Sequence, residues 1–234
     1  MNLVLLEPGD LDGPRAVVRG KRAHHIATVH RATPGKTLKV GLLGGRVGRG
    51  VVASCERDRV ELDVELAADP PPPLPCTLVL ALPRPIVLRR ILAAVATIGI
   101  KRVVLTGGAR VEKSYWMSPV LADEAVREAL VLGLEQGCDT ILPVVEQRRL
   151  FRPFAEDELA EIADGTLALV AHPGNGAPCP RVEAGTVTLA VGPEGGYVDF
   201  ELELLAEAGF QQVTLGTRPL RVEHAIPVLV GRLF

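Results

Sequence analysis

The stretch Leu189-Ala190-Val191-Gly192-Pro193-Glu194-Gly195-Gly196 carries an apolar run straight into a glycine-rich turn. Glycines at such a junction let backbone approach a ligand closely and expose its N–H and C=O groups. A plain tight turn would use the same residues. A second stretch repeats the scheme. Leu215-Gly216-Thr217-Arg218-Pro219-Leu220-Arg221-Val222-Glu223-His224-Ala225 passes from a strand through glycine and loop to a helix start. Arg221 and Glu223 stand near that start. A guanidinium there can stabilise developing negative charge, and a carboxylate can accept a proton. A local ion pair is the structural alternative, and a single histidine such as His224 at a helix start is more often structural. His172-Pro173 ends the apolar run Leu167–Ala171 and is expected to offer backbone rather than side-chain chemistry. Two ligand-type loops after neighbouring strands are harder to ascribe to accident than one.

The elements that must hold these loops divide at Asp69-Pro70-Pro71-Pro72-Pro73-Leu74-Pro75, a stiff extended linker that excludes helix and central strand. Before it, Ala16–Val18, Thr37–Leu42, Gly50–Ser54 and Val60–Leu66 read as short strands, with turns at Gly44-Gly45 and Gly48 and a short helix over His24–Ala32. This pattern predicts a small β-barrel over residues 1–69. After the linker, the period changes. Pro85 opens a helix that Gly99 closes, and Ser118-Pro119 starts one that runs to Gln136. Leu78–Leu82, Arg102–Thr106, Ile141–Val145, Leu167–Ala171, Val187–Val191 and Val213–Leu215 read as strands. Asp199 caps a helix ending at Gly209, and Val222–Leu233 is a last amphipathic segment. Strands alternating with helices predict an α/β domain with a mostly parallel sheet over residues 76–234.

Composition narrows the function. The chain has 234 residues, 47% of them hydrophobic but only 3% aromatic, so its cores are built from Leu, Val, Ile and Ala. Met1–Asp10 lacks the pattern of a signal peptide, and no run is long enough to span a bilayer. Cys55, Cys76, Cys138 and Cys179 form no CxxC pair, which predicts reduced thiols, no metal site and a cytoplasmic protein. The net charge of −2 hides an asymmetry: residues 1–59 hold eleven Lys/Arg and five Asp/Glu, a balance of +6. A local basic surface of this kind attracts phosphate.

The order of these motifs resembles the ribosomal RNA small subunit methyltransferase E family of the SPOUT superfamily. Besides GPEGG and Leu220-Arg221-x-Glu223-x-Ala225, it rests on His24-His25-Ile26, Pro34-Gly35, Arg110 with Lys113, Glu135-Gln136 and His172-Pro173. The resemblance implies an N-terminal PUA-like β-barrel followed by a SPOUT α/β domain with a C-terminal trefoil knot. It implies S-adenosyl-L-methionine as cofactor, held by Ala171, His172, Pro173, Gly192, Pro193, Glu194, Gly195, Gly196, Leu215, Gly216 and Leu220. It implies methylation of N3 of a uridine in 16S ribosomal RNA, free or in the small subunit, with Arg221 and Glu223 catalytic. Arg22, His24, His25, Arg31, Arg110 and Lys113 are the expected RNA contacts.

The chain departs from the family where Val87 and Ala94 replace two helix lysines, at Thr97-Ile98-Gly99, at Cys138-Asp139 and at Val222 and His224. These losses keep open a non-catalytic RNA-binding or ribosome-assembly role, or an RNA site other than the family's. A Rossmann nucleotide enzyme is disfavoured, since no strand precedes a GxGxxG and Leu105-Thr106-Gly107-Gly108 is too short a signal. The apolar end Ala225–Phe234, with Leu229 and Leu233, predicts a homodimer whose partner covers it.

Overall fold

The computed structural model describes residues 2–174 and 176–234. The chain forms two compact units, one running up to Pro72 and including Leu130–Leu142, the other comprising Pro73–Ala129 and Pro143–Phe234.

The first unit contains β1 (Val4–Leu6), β2 (Leu11–Asp12), β3 (Arg15–Arg19), α1 (Gly20–Val29), β4 (Thr37–Leu42), β5 (Val47–Cys55) and β6 (Arg59–Ala68). They make one mixed, curled sheet in the order β1-β4-β5-β6-β3-β2, in which only β1 and β4 pair in parallel. Alternation puts Leu38, Val40, Val60 and Leu62 inside, where they meet Ala23 and Ile26 of α1. The helix starts at Gly20, four residues earlier than expected, where the Gly20 N–H donates to Asp58 O at 2.9 Å. Leu130–Leu142 belongs to this unit through hydrogen bonds. The Glu135 carbonyl accepts from the Asn2 and Leu3 N–H groups, and the Gly44 N–H donates to Thr140 O at 2.8 Å.

Two turn assignments change. Gly44 does turn the β4–β5 hairpin, but Gly48 lies inside β5 at a register shift. A Cβ at Gly48 would stand 1.9 Å from the Glu65 carbonyl oxygen. The glycine is there for close strand approach, not for a turn.

The second unit contains β7 (Leu74–Ala81), α2 (Pro85–Ile98), β8 (Ile100–Thr106), β9 (Val144–Arg148), α4 (Phe151–Asp157), α5 (Leu159–Ala163), β10 (Leu167–Ala171), β11 (Ala177–Pro178), β12 (Val187–Val191), α6 (Asp199–Glu207), β13 (Gln211–Thr214) and α7 (Val222–Leu233). Helix α3 (Asp123–Gly137) contributes to both units. Every strand pair in the order β11-β13-β10-β12-β7-β8-β9 is parallel. The central strands are buried along most of their length, as strands covered on both faces must be.

Several expectations are corrected here. The central strand β7 begins at Leu74, inside the supposed linker. Pro75 is tolerated because it sits in the irregular register between Leu74 and Thr77. Ser118 does cap, its Oγ accepting from the Val120 N–H at 3.3 Å, but it caps a 3-10 turn, and α3 starts at Asp123. Strand β9 begins at Val144 rather than Ile141, since the Asp139 carboxylate takes the Thr140 and Ile141 N–H groups at 2.6 and 3.0 Å. Asp199 is the first residue of α6, and Val198 is its cap. Leu229 and Leu233 are fully buried within their own chain, and α7 packs on α2. Among the described residues, no helix is long and apolar enough to cross a membrane.

We expect Gly48→Ala to destabilise the protein by about 1–3 kcal/mol, the usual range for overpacking. Urea unfolding checks this; an unchanged midpoint would show that β5 and β6 can separate freely.

Candidate functional site

Strand register brings five loops to one edge of the parallel sheet. Ala171 pairs with Val191 and with Val213, Val191 pairs with Leu80, and Ala81 pairs with Thr106. The chain therefore leaves the sheet on the same side at His172, Gly192, Leu215, Leu82 and Gly107. Ligands of parallel sheets bind beyond these carboxyl ends, where strand order reverses. Here β12 and β7 are that place: the chain goes from β7 to β8 on one side and from β12 to β13 on the other.

The Gly192–Gly196 loop is held from several directions. The Gly196 N–H donates to Pro193 O at 2.8 Å, closing a tight turn. Gly196 has φ +72°, a left-handed conformation that favours glycine, and a Cβ at Gly192 would press on the Tyr197 nitrogen at 3.1 Å. Tyr197 is buried against Phe151, and its hydroxyl donates to Val191 O at 3.2 Å. Glu194 is exposed, and its Oε1 accepts from the Arg84 N–H at 3.0 Å, tying the turn to the start of α2. The Arg110 guanidinium donates to the Gly195 carbonyl.

His172 borders this turn. Its N–H donates to Val213 O at 3.1 Å, and its Cε1 lies 3.3 Å from where a Gly196 Cβ would stand. Its Nδ1 is buried without a partner among the described residues. Burial, then the Arg110 guanidinium, pushes its pKa below the ordinary value against an opposing pull from Asp199, which favours the neutral imidazole. Ala171 is half-buried and Pro173 exposed. In the third loop, Leu215 is half-buried, Gly216 has φ +109° and Leu220 is exposed. Arg221 follows as the exposed cap of α7, its carbonyl accepting from the His224 and Ala225 N–H groups, and Glu223 is half-buried in the first turn.

The residues expected to meet RNA separate into different situations. Arg22 is committed internally: its guanidinium donates to both Asp10 carboxylate oxygens, at 3.0 and 2.7 Å, and to Leu5 O. His25 is half-buried against His30, with ring centroids 6.3 Å apart. His24 is exposed and lines an open hollow with Gly20, Lys21, Arg57 and Asp58. Arg31 is exposed with φ 49°. In the second unit, Arg110 faces the glycine loop, and Lys113 is exposed at the start of a 3-10 turn.

The +6 balance of residues 1–59 is also partly cancelled. Arg15, Arg49 and Arg59 pair with Glu61, Asp63 or Glu65 of β6, just beyond that window. Sequence reasoning missed Lys21 and Arg57, which only the fold brings beside His24. It also missed Glu201, whose signal is its place three residues after the Val198 cap. This carboxylate is 2% exposed, and it accepts from the Ala109 N–H at 2.7 Å and the Val198 N–H at 2.9 Å.

Comparison with known proteins agrees with this architecture. Residues 70–233 match the model of the RNA methyltransferase domain. A ribosomal RNA small subunit methyltransferase E of Treponema pallidum is 31% identical over 234 residues, covering 96% of this chain and 87% of the relative. One of Mycobacterium bovis is 32% identical over 235 residues, covering 94% and 86%. A crystal structure of a ribosomal RNA small subunit methyltransferase E from Neisseria gonorrhoeae, bound to S-adenosyl methionine, superposes with a TM-score of 0.79 at 22% identity, covering 99% of this chain and 95% of that one. Such identity along nearly the whole length establishes that the chain belongs to the ribosomal RNA small subunit methyltransferase E family.

Proposed function

We propose that this S-adenosylmethionine-dependent rRNA methyltransferase modifies N3 of a uridine in 16S rRNA, with the donor held among Ala171–Pro173, Gly192–Gly196 and Leu215–Leu220. The observation that carries the donor site is the convergence of these loops at one sheet edge. The residues present fit such a ligand: exposed glycine backbone at Gly195, left-handed glycines at Gly196 and Gly216, and an unpartnered buried nitrogen on His172.

When bound, S-adenosylmethionine supplies the electrophile, a methyl group on a sulfonium. The protein must then hold the base in line and remove a proton. Uracil N3 is a poor nucleophile until its proton leaves. Glu223, half-buried beside the cap of α7, accepts that proton. Arg221 stabilises the charge that develops on the flanking carbonyl oxygens. The new N–C bond forms as the C–S bond breaks, and sulfur keeps the electron pair.

Residues 1–69 serve as a PUA-like RNA-docking domain, and residues 76–234 as the methyltransferase domain with a C-terminal trefoil knot. The chain end lies against the loop after β11: the Val182 N–H donates to Leu233 O at 2.7 Å, and Arg232 Nε donates to Cys179 O at 3.3 Å. Exposed Lys21 and Arg57, beside His24, and Arg31 present the docking charge, and Lys113 adds an exposed cation in the second unit. Four free cysteines fit a cytoplasmic setting. A second copy covers the outer faces of α2 and α7, where Ile86 is 68% and Val228 48% exposed.

Gly195→Val places a branched side chain where Arg110 Cδ already lies 2.9 Å from the Cβ position. Calorimetry should find the folded variant unable to bind S-adenosylmethionine; unchanged affinity would remove the site. In a methyl-transfer assay on 16S rRNA, Glu223→Gln should lower kcat by roughly 10²–10⁴-fold, the range for losing general base catalysis. In the same assay, charge reversal at Lys21 and Arg57 should raise KM for RNA and leave donor affinity alone. Mapping the methylated nucleotide to another atom or base would overturn the uridine N3 assignment. Light scattering of Val228→Asp should read a monomer where the unaltered protein reads a dimer; a monomeric unaltered protein with full activity refutes the dimer.

A further inference from the structure

Glu201 lies on α6, outside every loop assigned to the donor, yet its side chain closes a ring of contacts around that site. One carboxylate oxygen accepts from the Ala109 N–H at 2.7 Å. Ala109 belongs to the turn after β8, which the Val111 N–H closes by donating to Gly108 O at 3.1 Å. The next residue, Arg110, donates its guanidinium to the Gly195 carbonyl. Three residues beyond Gly195, the Val198 N–H donates back to the second Glu201 oxygen at 2.9 Å. The circuit from Glu201 through Ala109, Arg110, Gly195 and Val198 therefore returns to Glu201, with hydrogen bonds joining short covalent runs.

A carboxylate that is 2% exposed is costly to bury unless its charge is met. Here two N–H donors meet it, and it stands in the first turn of α6, at the positive end of that helix. Gly108 leaves space for this carboxylate, since a Cβ there would stand 3.1 Å from Glu201 Oε1. Both ends of the Gly195–Val198 segment thus depend on one buried side chain. A binding loop fixed before its ligand arrives loses less entropy on binding.

We infer that Glu201 is a positioning residue for the methyl donor, acting through Arg110 to hold the Gly195 backbone in its binding conformation. This rests on the proposed donor site. It also assigns Arg110 to the donor loop in addition to any role toward RNA.

The test is a double-variant cycle on the full chain. Glu201→Gln keeps the shape but turns one acceptor into a donor that faces an N–H. Arg110→Ala removes the exposed link alone. Calorimetry with S-adenosylmethionine should show each variant binding about tenfold more weakly, as expected for losing a charge-assisted hydrogen bond. The double variant should bind no more weakly than the weaker single one, because both break the same ring. Arg110→Lys should recover part of the loss. Folded variants with unaltered donor affinity would overturn the inference, as would losses that multiply in the double variant. If Glu201→Gln does not fold, Arg110→Ala decides alone, and unaltered donor affinity there overturns it. Failure of the unaltered protein to bind the donor would instead sink the donor-site reading.

Discussion

The parallel pairing of β13, β10, β12, β7 and β8 is the constraint on which the second unit depends. Once Ala171 is in register with Val191 and Val213, and Val191 with Leu80, the chain must exit on one side after each strand. The apolar runs Leu78–Leu82 and Val187–Val191 can be continuous because both sheet faces are covered. Packing thus resides mainly in the strands, while the proposed site residues lie in the loops and helix starts at their carboxyl ends.

Exits on one edge do not by themselves make a site, because loops of this length have many conformations. Four of the five here are tied to a neighbouring element by a hydrogen bond. Arg84 reaches Glu194, the His172 N–H reaches Val213, Tyr197 reaches back to Val191, and Glu201 joins Ala109 to Val198. Three of these five bonds end on or begin from backbone of the Gly192–Val198 segment or the strand before it, or meet its Glu194 carboxylate. The glycine loop is the most constrained part of the edge even though its sequence is the most permissive. Freedom at glycine gives the shape, and neighbouring elements then hold it.

How much was legible in the sequence depends on the range of each interaction. Thr37–Leu42, Pro85–Ile98, Leu167–Ala171, Val187–Val191 and Val222–Leu233 are found with the boundaries their local patterns gave, because periodicity, proline and glycine act within a few residues. Helices α4 and α5 were missed. Pro153 reads as a breaker, yet it occupies the first turn of α4, where no intrahelical N–H is needed. Ile141 looked like strand because nothing local shows that Asp139 claims its N–H. Nothing local in the sequence singles out Glu201, since its partner Ala109 lies 92 residues away. The proposed barrel type and knot are not legible from periodicity and rest on the family resemblance alone.

Charge shows the same dependence on range and changes how RNA binding must be framed. A count over residues 1–59 treats every arginine alike, but a guanidinium already paired with β6 carboxylates releases few counterions on meeting phosphate. Arg15, Arg49 and Arg59 are of this kind, and Arg22 is likewise taken up by Asp10. Other basic residues are exposed, among them Lys21, Arg31 and Arg57 in the first unit and Arg110 and Lys113 in the second. The lysines that the family carries on its first large-domain helix are absent at Val87 and Ala94, but α2 has exposed Arg89 and Arg90 two and three residues beyond Val87. Basic charge on that helix is therefore displaced rather than lost. A chain of net charge −2 cannot hold RNA by bulk attraction. On the proposed reading, affinity comes from locally placed cations. Recognition then depends on the target RNA presenting phosphates at matching positions, which favours a folded ribosomal segment over an arbitrary strand.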